Sequence, residues 1–197
     1  MDRPVVVSNE LIALLWALWM VVWTTAALFV KRTQRREPLG PTLLERVPIL
    51  VGFFLLLLPH WMPRRLPPAL THRLMDEQPP LAILALLLVF AGMLLSFWAR
   101  AHLGRNWSGE VMVKVGHTLV TSGPYGWVRH PIYSGMTLAL VGTALASGTL
   151  SGFLGLALIV LAFLVRVRQE EALMRQTFPA DYPTYSQHTA RLIPGLY

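Results

Sequence analysis

The stretch Gly123-Pro124-Tyr125-Gly126-Trp127-Val128-Arg129-His130-Pro131-Ile132-Tyr133-Ser134-Gly135 packs turn formers, an adjacent Arg-His pair and two tyrosines directly before a long apolar segment. Proline has a preset φ and lacks only an amide hydrogen that a first helical turn leaves unused, so Pro131 suits the first helical position with His130 near the cap. The free amides and positive dipole end of such a helix can hold a carboxylate or phosphate, and Arg129 adds a fixed positive charge. The plainer alternative is a helix start with Arg129 snorkelling and His130 only capping. A second cluster comprises Arg166, Arg168, Glu170 and Glu171, followed by Phe178, Tyr182, Tyr185, Arg191 and Pro194. Arg166 and Glu170 stand at i,i+4, which on a helix surface gives an ion pair of about 0.3–0.5 kcal/mol. The functional alternative is that the adjacent carboxylates accept hydroxyl or ammonium donors of a ligand.

The elements that must position these residues are apolar. Of 197 residues, 54% are hydrophobic and 14% charged, against roughly 25% charged in an ordinary soluble domain. Leu11 to Val30 and Leu81 to Ala99 carry no charge, and each is about long enough to cross roughly 30 Å of hydrocarbon as a helix. Val47 to Met62 is shorter and bracketed by Pro48 and Pro59, and reads as a third span with Arg64 and Arg65 able to snorkel at its end. Ile132 to Val165 is also uncharged, but one straight helix of that length would run to about 51 Å, so the chain must turn. Ser147-Gly148-Thr149 is the expected break, with Gly142, Gly148, Gly152 and Gly155 letting the two arms approach closely. Trp16, Trp19 and Trp23 mark a helix stripe that faces either lipid or a neighbouring helix.

The fold expected is an all-α membrane protein of about five transmembrane helices, the last two a tight hairpin. A cap formed by the loop between the third and fourth helices and by the C-terminal tail covers one end. The hairpin returns to the face it left, so Arg129-His130 and Glu170-Glu171 are expected to be neighbours. Lys31, Arg32, Arg35, Arg36, Arg46, Arg100, Arg105, Lys114, Arg129, Arg166, Arg168, Arg175 and Arg191 fall on one side, and Arg3, Arg64, Arg65 and Arg73 on the other. Positive residues favour the cytosol, which places the N-terminus outside, retains the first segment as an anchor and turns the two clusters to the cytosol. This bias also accounts for the net charge of +7 without nucleic acid, because the basic residues form no stripe with interleaved aromatics. Residues 1–99 read as an N-terminal three-helix membrane region and 100–197 as the functional core.

Several chemistries are excluded or unsupported. The chain has no cysteine, hence no disulfide, thiolate nucleophile or cysteine-ligated metal. There is no P-loop, dinucleotide-binding glycine fingerprint, His-Glu-x-x-His helix or Gly-x-Ser-x-Gly elbow. His60, His72 and His188 have no partners at metal-ligand spacing, so no metal site is expected.

From about Ala99 to the C-terminus the sequence resembles the integral-membrane isoprenylcysteine carboxyl methyltransferases, relatives of the phospholipid N-methyltransferases. The residues that carry the resemblance are Leu103-Gly104-Arg105-Asn106-Trp107-Ser108, His117-Thr118-Leu119-Val120-Thr121-Ser122-Gly123-Pro124-Tyr125, Arg129-His130-Pro131-Ile132-Tyr133-Ser134-Gly135, Glu170-Glu171, and Phe178 to Pro194. Pro179 stands where members usually carry glycine. The resemblance implies S-adenosyl-L-methionine as methyl donor, with a lipid or isoprenylated acceptor arriving from the bilayer. Carried over residue by residue, it puts His117, Leu119, Val120, Gly123, Tyr125, His130, Pro131, Tyr133, Glu170 and Glu171 around that cofactor.

Displacement at a sulfonium methyl consumes charge and needs positioning and a dry site more than acid–base power. For a carboxylate acceptor, Arg129 is the expected orienting group; for an amine, Glu170 is the expected proton acceptor. Carboxyl O-methylation of an isoprenylcysteine-like or other lipid acid is the leading expectation. Phospholipid amine N-methylation is the next. Membrane sterol reductases share an Arg-His-Pro-x-Tyr stretch while using NADPH, but usually carry asparagine where Ile132 stands here. A non-catalytic membrane scaffold is the last alternative. Arginine outnumbers lysine heavily, which points to a GC-rich genome and a bacterial inner membrane.

Overall fold

The computed structural model describes residues 3–28, 39–61, 67–104 and 118–195. Among them lie seven α-helices: α1 (Arg3–Ala27), α2 (Leu39–Trp61), α3 (Pro68–Thr71), α4 (Pro79–Leu103), α5 (Pro131–Ser147), α6 (Leu150–Thr177) and α7 (Asp181–His188). A short 3-10 turn, Gly123–Gly126, precedes α5. No named strand occurs among the described residues, only two isolated bridges, Arg73 with Thr149 and Val128 with Ala190.

Three of the five long helices carry a stretch long and apolar enough to cross a membrane: Ser8–Ala26 of α1, Pro79–Leu103 and Leu150–Thr177. The apolar parts of the other two, Arg46–Leu57 and Pro131–Ser147, are shorter. At 1.5 Å per residue α5 reaches only about 25 Å, less than a hydrocarbon core. Pro48 lies well inside α2 and Pro59 in its last turn, and α6 continues well past Val165. The chain breaks at the expected place. Gly148, with φ +60°, ends α5 in the left-handed conformation and donates its amide to Ala144 O at 2.9 Å. Thr149 caps α6, its Oγ1 accepting from Gly152 N at 3.2 Å.

The glycines act only in part as expected. Gly142 and Gly155 bring α5 and α6 against α4 and α2, while Gly152 meets the other arm of the hairpin, a Cβ there falling 2.8 Å from Ser147 Oγ at the end of α5. A Cβ on Gly92 would lie 2.4 Å from Gly135 O, one on Gly135 2.5 Å from Gly92 O, and one on Gly142 2.5 Å from Ala85 O. Gly52 and Gly155 make the equivalent contact between α2 and α6, a Cβ on Gly155 falling 2.4 Å from Gly52 O. Helices in lipid gain nothing by hiding apolar surface from one another, so close backbone approach is what holds such pairs. α5 and α6 instead share larger side chains, Leu140, Ala144, Ile159 and Phe163, with Leu56 from α2.

The tryptophan stripe of α1 is a packing stripe. Trp16 Nε1 donates to Thr143 Oγ1 at 3.0 Å and Trp19 Nε1 to Ser96 Oγ at 3.2 Å. Each bond ties α1 to a neighbouring helix, a contact worth about 0.6 kcal/mol inside a membrane protein. Arg100 donates to Ala26 O and Gly104 O, both at 2.9 Å, holding the C-terminal ends of α1 and α4 together where helix dipoles favour a cation.

Alanine at Gly92 is expected to push α4 from α5 and cost about 1–3 kcal/mol. Gly126→Ala, whose Cβ would meet only Thr121 O at 3.4 Å, should be nearly neutral; thermal unfolding of both variants in detergent checks the contrast.

Candidate active site

The segment before α5 and the C-terminal tail lie side by side. Arg129 N donates to Ala190 O at 2.8 Å and His130 N to Arg191 O at 3.1 Å. Ser134 Oγ donates to Leu192 O at 2.6 Å, and Tyr185 Oη to Tyr125 O at 2.6 Å. The Arg129 side chain follows the same path, with Nη1 donating to Ser186 O at 2.9 Å and also to Thr189 O.

Glu171 lies at the centre of this junction, 1% exposed. Its Oε1 accepts from Arg129 Nε at 2.9 Å and Arg191 Nε at 3.1 Å. Its Oε2 faces Arg191 Nη2 at 3.1 Å and Arg175 Nη2 at 3.4 Å. One carboxylate of α6 thus binds a guanidinium from the α5 approach, one from the tail and one from its own next turn. A buried charge is tolerable only when paired and hydrogen-bonded in this way.

Glu170 is placed otherwise. Its Oε1 accepts from Tyr133 Oη at 2.6 Å and Arg166 Nε at 3.2 Å, while Arg166 Nε also donates to Tyr133 Oη at 2.7 Å. Oε2 faces His130 Nδ1 at 3.5 Å, and the Glu170 side chain keeps 26% exposure. The Arg166–Glu170 pair is therefore no simple surface contact: Arg166 is 8% exposed and donates to Tyr133 as well as to Glu170. His130 stands between the two acids, with Nε2 3.4 Å from Glu171 Oε1. Burial works against its imidazolium, but Glu170 and Glu171 outweigh burial and raise its pKa above the ordinary histidine value.

The turn before these residues is latched to α4. Gly123 has φ +59°, and a Cβ there would fall 2.7 Å from the His102 ring. His102 Nε2 lies 2.9 Å from Ser122 Oγ, and its ring stacks near Tyr125. Tyr125 is buried, with Oη 3.4 Å from Ala99 O. Burial, with Glu170 and Tyr185 adding, raises its phenol pKa, and burial with the Glu171 charge pushes Tyr182 up to about 12.

The model of the isoprenylcysteine carboxyl methyltransferase family matches residues 83–176. Over this segment, just under half of the chain, the sequence is similar to that family. It is 30% identical over 112 residues to protein-S-isoprenylcysteine O-methyltransferase B of Arabidopsis thaliana, covering 55% of this chain and 57% of that one. It is 35% identical over 71 residues to the uncharacterized protein YpbQ of Bacillus subtilis (strain 168), covering 34% and 41% respectively. The structure of a eukaryotic intramembrane Ras methyltransferase matches with a TM-score of 0.54 at 21% identity, over 81% of this chain and 55% of that one, and shares the fold. The chain spans between 41% and 57% of the length of the curated relatives it matches.

Within this fold Arg129-His130 and Glu170-Glu171 are neighbours, as hairpin connectivity predicts, and Tyr133 joins them through Glu170. Pro131 is fully buried at the first position of α5, and Gly123 and Tyr125 build the latched turn. Leu119 and Val120 are half-buried in the extended approach to it. His117 lies outside the described residues. Pro179 falls in the two-residue turn between α6 and α7, where Tyr182 N donates to Phe178 O at 3.0 Å. His102 and Ser134 join the junction without a clear signal in the sequence. The only signal for His102 is its place in the last turn of α4, and Ser134 belongs to the quoted motif without an evident partner. Among the described residues no group of three metal-binding side chains occurs.

Two outcomes follow. Glu171→Gln leaves three guanidiniums without their buried anion and should cost about 3 kcal/mol or more, whereas Glu170→Gln, partly exposed, should cost clearly less in the same denaturation assay. His130, with its raised folded-state pKa, stabilises fully below the unfolded value of about 6.5 and loses that stabilisation as pH rises through its folded value. Unfolding temperature should therefore decline above neutral pH, and His130→Asn should flatten that slope.

Proposed function

We propose that the protein is an integral-membrane methyltransferase that uses S-adenosyl-L-methionine to methylate a lipophilic acceptor, most readily the carboxyl oxygen of an isoprenylcysteine-like or other lipid acid. The likeness of residues 83–176 to that family supports the reaction class. The observation that carries the site is the convergence of Glu170, His130 and Tyr133 where α5 begins and α6 ends, with Glu170 still partly open.

The donor set suits the proposed cofactor. A carboxylate with one oxygen held by Tyr133 and Arg166, and the other only approached by His130, can accept an ammonium or hydroxyl. His130 and Tyr133 would orient it, and Leu119, Val120, Gly123, Tyr125 and Pro131 would supply the apolar and turn surfaces. We assign His117 to the same group from the family motif. Glu171 would act by holding Arg129 and the tail in place rather than by contact. The cofactor supplies an electrophilic methyl; the chain's part is to exclude water and align the acceptor.

A second reading, methylation of a lipid amine, is favoured by one specific observation. Arg129 is committed to Glu171 and to two tail carbonyls, so the accessible charge among the described site residues is the Glu170 carboxylate, which suits an ammonium and its proton. In the O-methylation reading Arg129 is a positioning residue. The functional core would be residues 100–197 seated on α1, α2 and α4. The excess of Lys and Arg on the site's side supports a cytosolic orientation, and a bacterial inner membrane fits the arginine-rich composition.

Isothermal titration of the detergent-purified protein with S-adenosylhomocysteine and, in parallel, NADPH tests the reading. Saturable binding of the first and not the second, weakened about tenfold or more in Glu170→Gln, is expected. Binding of NADPH alone would favour a reductase, and binding of neither would favour a scaffold.

A further inference from the structure

Trp98 and Trp127 take no part in the charge network. Their rings meet edge to face, 5.4 Å between centroids at 76°, and both are exposed, Trp127 to 63% and Trp98 to 43%. Trp127 is not a loose residue on a loose loop. Its neighbours Tyr125 and Val128 are buried, the turn is latched to α4 through His102 and Ser122, and Trp127 N donates to Pro124 O at 3.2 Å. A large apolar ring is thus held outward by a rigid frame, and water is a poor medium for it.

The surroundings say what covers it. Along α4, a helix apolar and long enough to span, Ile83, Leu87, Phe90 and Leu94 are all exposed. Their spacing of three or four residues forms one outward stripe, and Trp98 is its next member. One turn later the helix becomes polar, with Arg100 and His102 in its last turn. The tryptophan pair therefore sits where an apolar face gives way to polar residues. Indole rings, apolar with one N–H donor, concentrate at the boundary between hydrocarbon and headgroups.

We propose that Trp98 and Trp127 form one interfacial anchor that binds the glycerol and headgroup region of the bilayer and sets the depth of the site. Arg129 follows Trp127 by two residues, at most about 7 Å of chain, so the Arg129-His130 junction is held at headgroup level. A membrane acceptor must then bring its reacting group up to that level while its apolar part stays in hydrocarbon. This consequence rests on the methyl-transfer reading; the anchor does not.

Because the chain has no cysteine, a nitroxide can be placed at single positions by Trp127→Cys or Trp98→Cys in phosphatidylcholine nanodiscs. Collision with oxygen against a water-soluble nickel chelate measures depth. Leu87→Cys provides the hydrocarbon reference and Asp181→Cys, exposed on α7, the aqueous one. The expected result is a common depth for positions 98 and 127, between the references and near the phosphate boundary. Trp98→Cys, on a regular helix, reads the same anchor should Trp127→Cys not fold. Nickel access at 127 equal to that at 181 would overturn the proposal, as would a depth equal to that of 87. Exclusion of both reagents would also overturn it, by assigning the pair to a protein partner. No donor or acceptor is present, so the outcome is independent of methyl transfer.

Discussion

A carboxylate cannot be buried in an apolar protein without charge partners, and Glu171 makes that constraint the organising contact of the molecule. It lies near the C-terminal end of α6, yet its partners come from the approach to α5, from α6 itself and from the tail. Because Arg129 and Arg191 come from segments that also pair through backbone hydrogen bonds, one buried anion fastens three parts of the chain. Desolvating the acid would be costly, and that cost makes the arrangement specific: only a fold that delivers these guanidiniums satisfies it.

The helices below this junction are placed by a different force. Close packing of glycine against backbone joins α4 to α5 and α2 to α6, and hydrogen bonds from Trp16 and Trp19 add α1. None of these contacts draws strength from removal of water, since lipid surrounds the outer faces. They depend on fit and on satisfying polar groups where no water can do so. The rigid frame they form sets where α5 starts and α6 ends. Arg100, bridging the ends of α1 and α4, closes the frame at the same end as the site.

Adjacent in sequence, Glu170 and Glu171 have opposite surroundings. The helical rotation between neighbours turns Glu171 inward among arginines and leaves Glu170 beside Tyr133 and His130, partly open. Division of labour follows from this geometry. One acid fastens the α5 approach and the tail to α6, and the other keeps 26% of its side chain exposed. The same geometry turns the Arg129 side chain toward Glu171 and the carbonyls of Ser186 and Thr189.

Much of this was legible in the chain itself. Uncharged blocks separated by basic loops specify membrane helices, because a buried charge in hydrocarbon has no solvent to stabilise it. The break at Gly148 follows from a segment too long for one span. The meeting of Arg129-His130 with Glu170-Glu171 follows from hairpin connectivity alone, and the motif around Pro131 carried the family resemblance. Which helices the glycines join, how deeply each acid is buried and what Arg129 touches were beyond the sequence. Small residues mark that some backbone approaches closely but not whose, and i,i+4 spacing pairs Arg166 with Glu170 without revealing that Tyr133 shares them. Local spacing and hydropathy act through neighbours in the chain, whereas partners such as His102 and Ser122, or Ser134 and the Leu192 carbonyl, become neighbours only when helices from distant parts of the sequence pack.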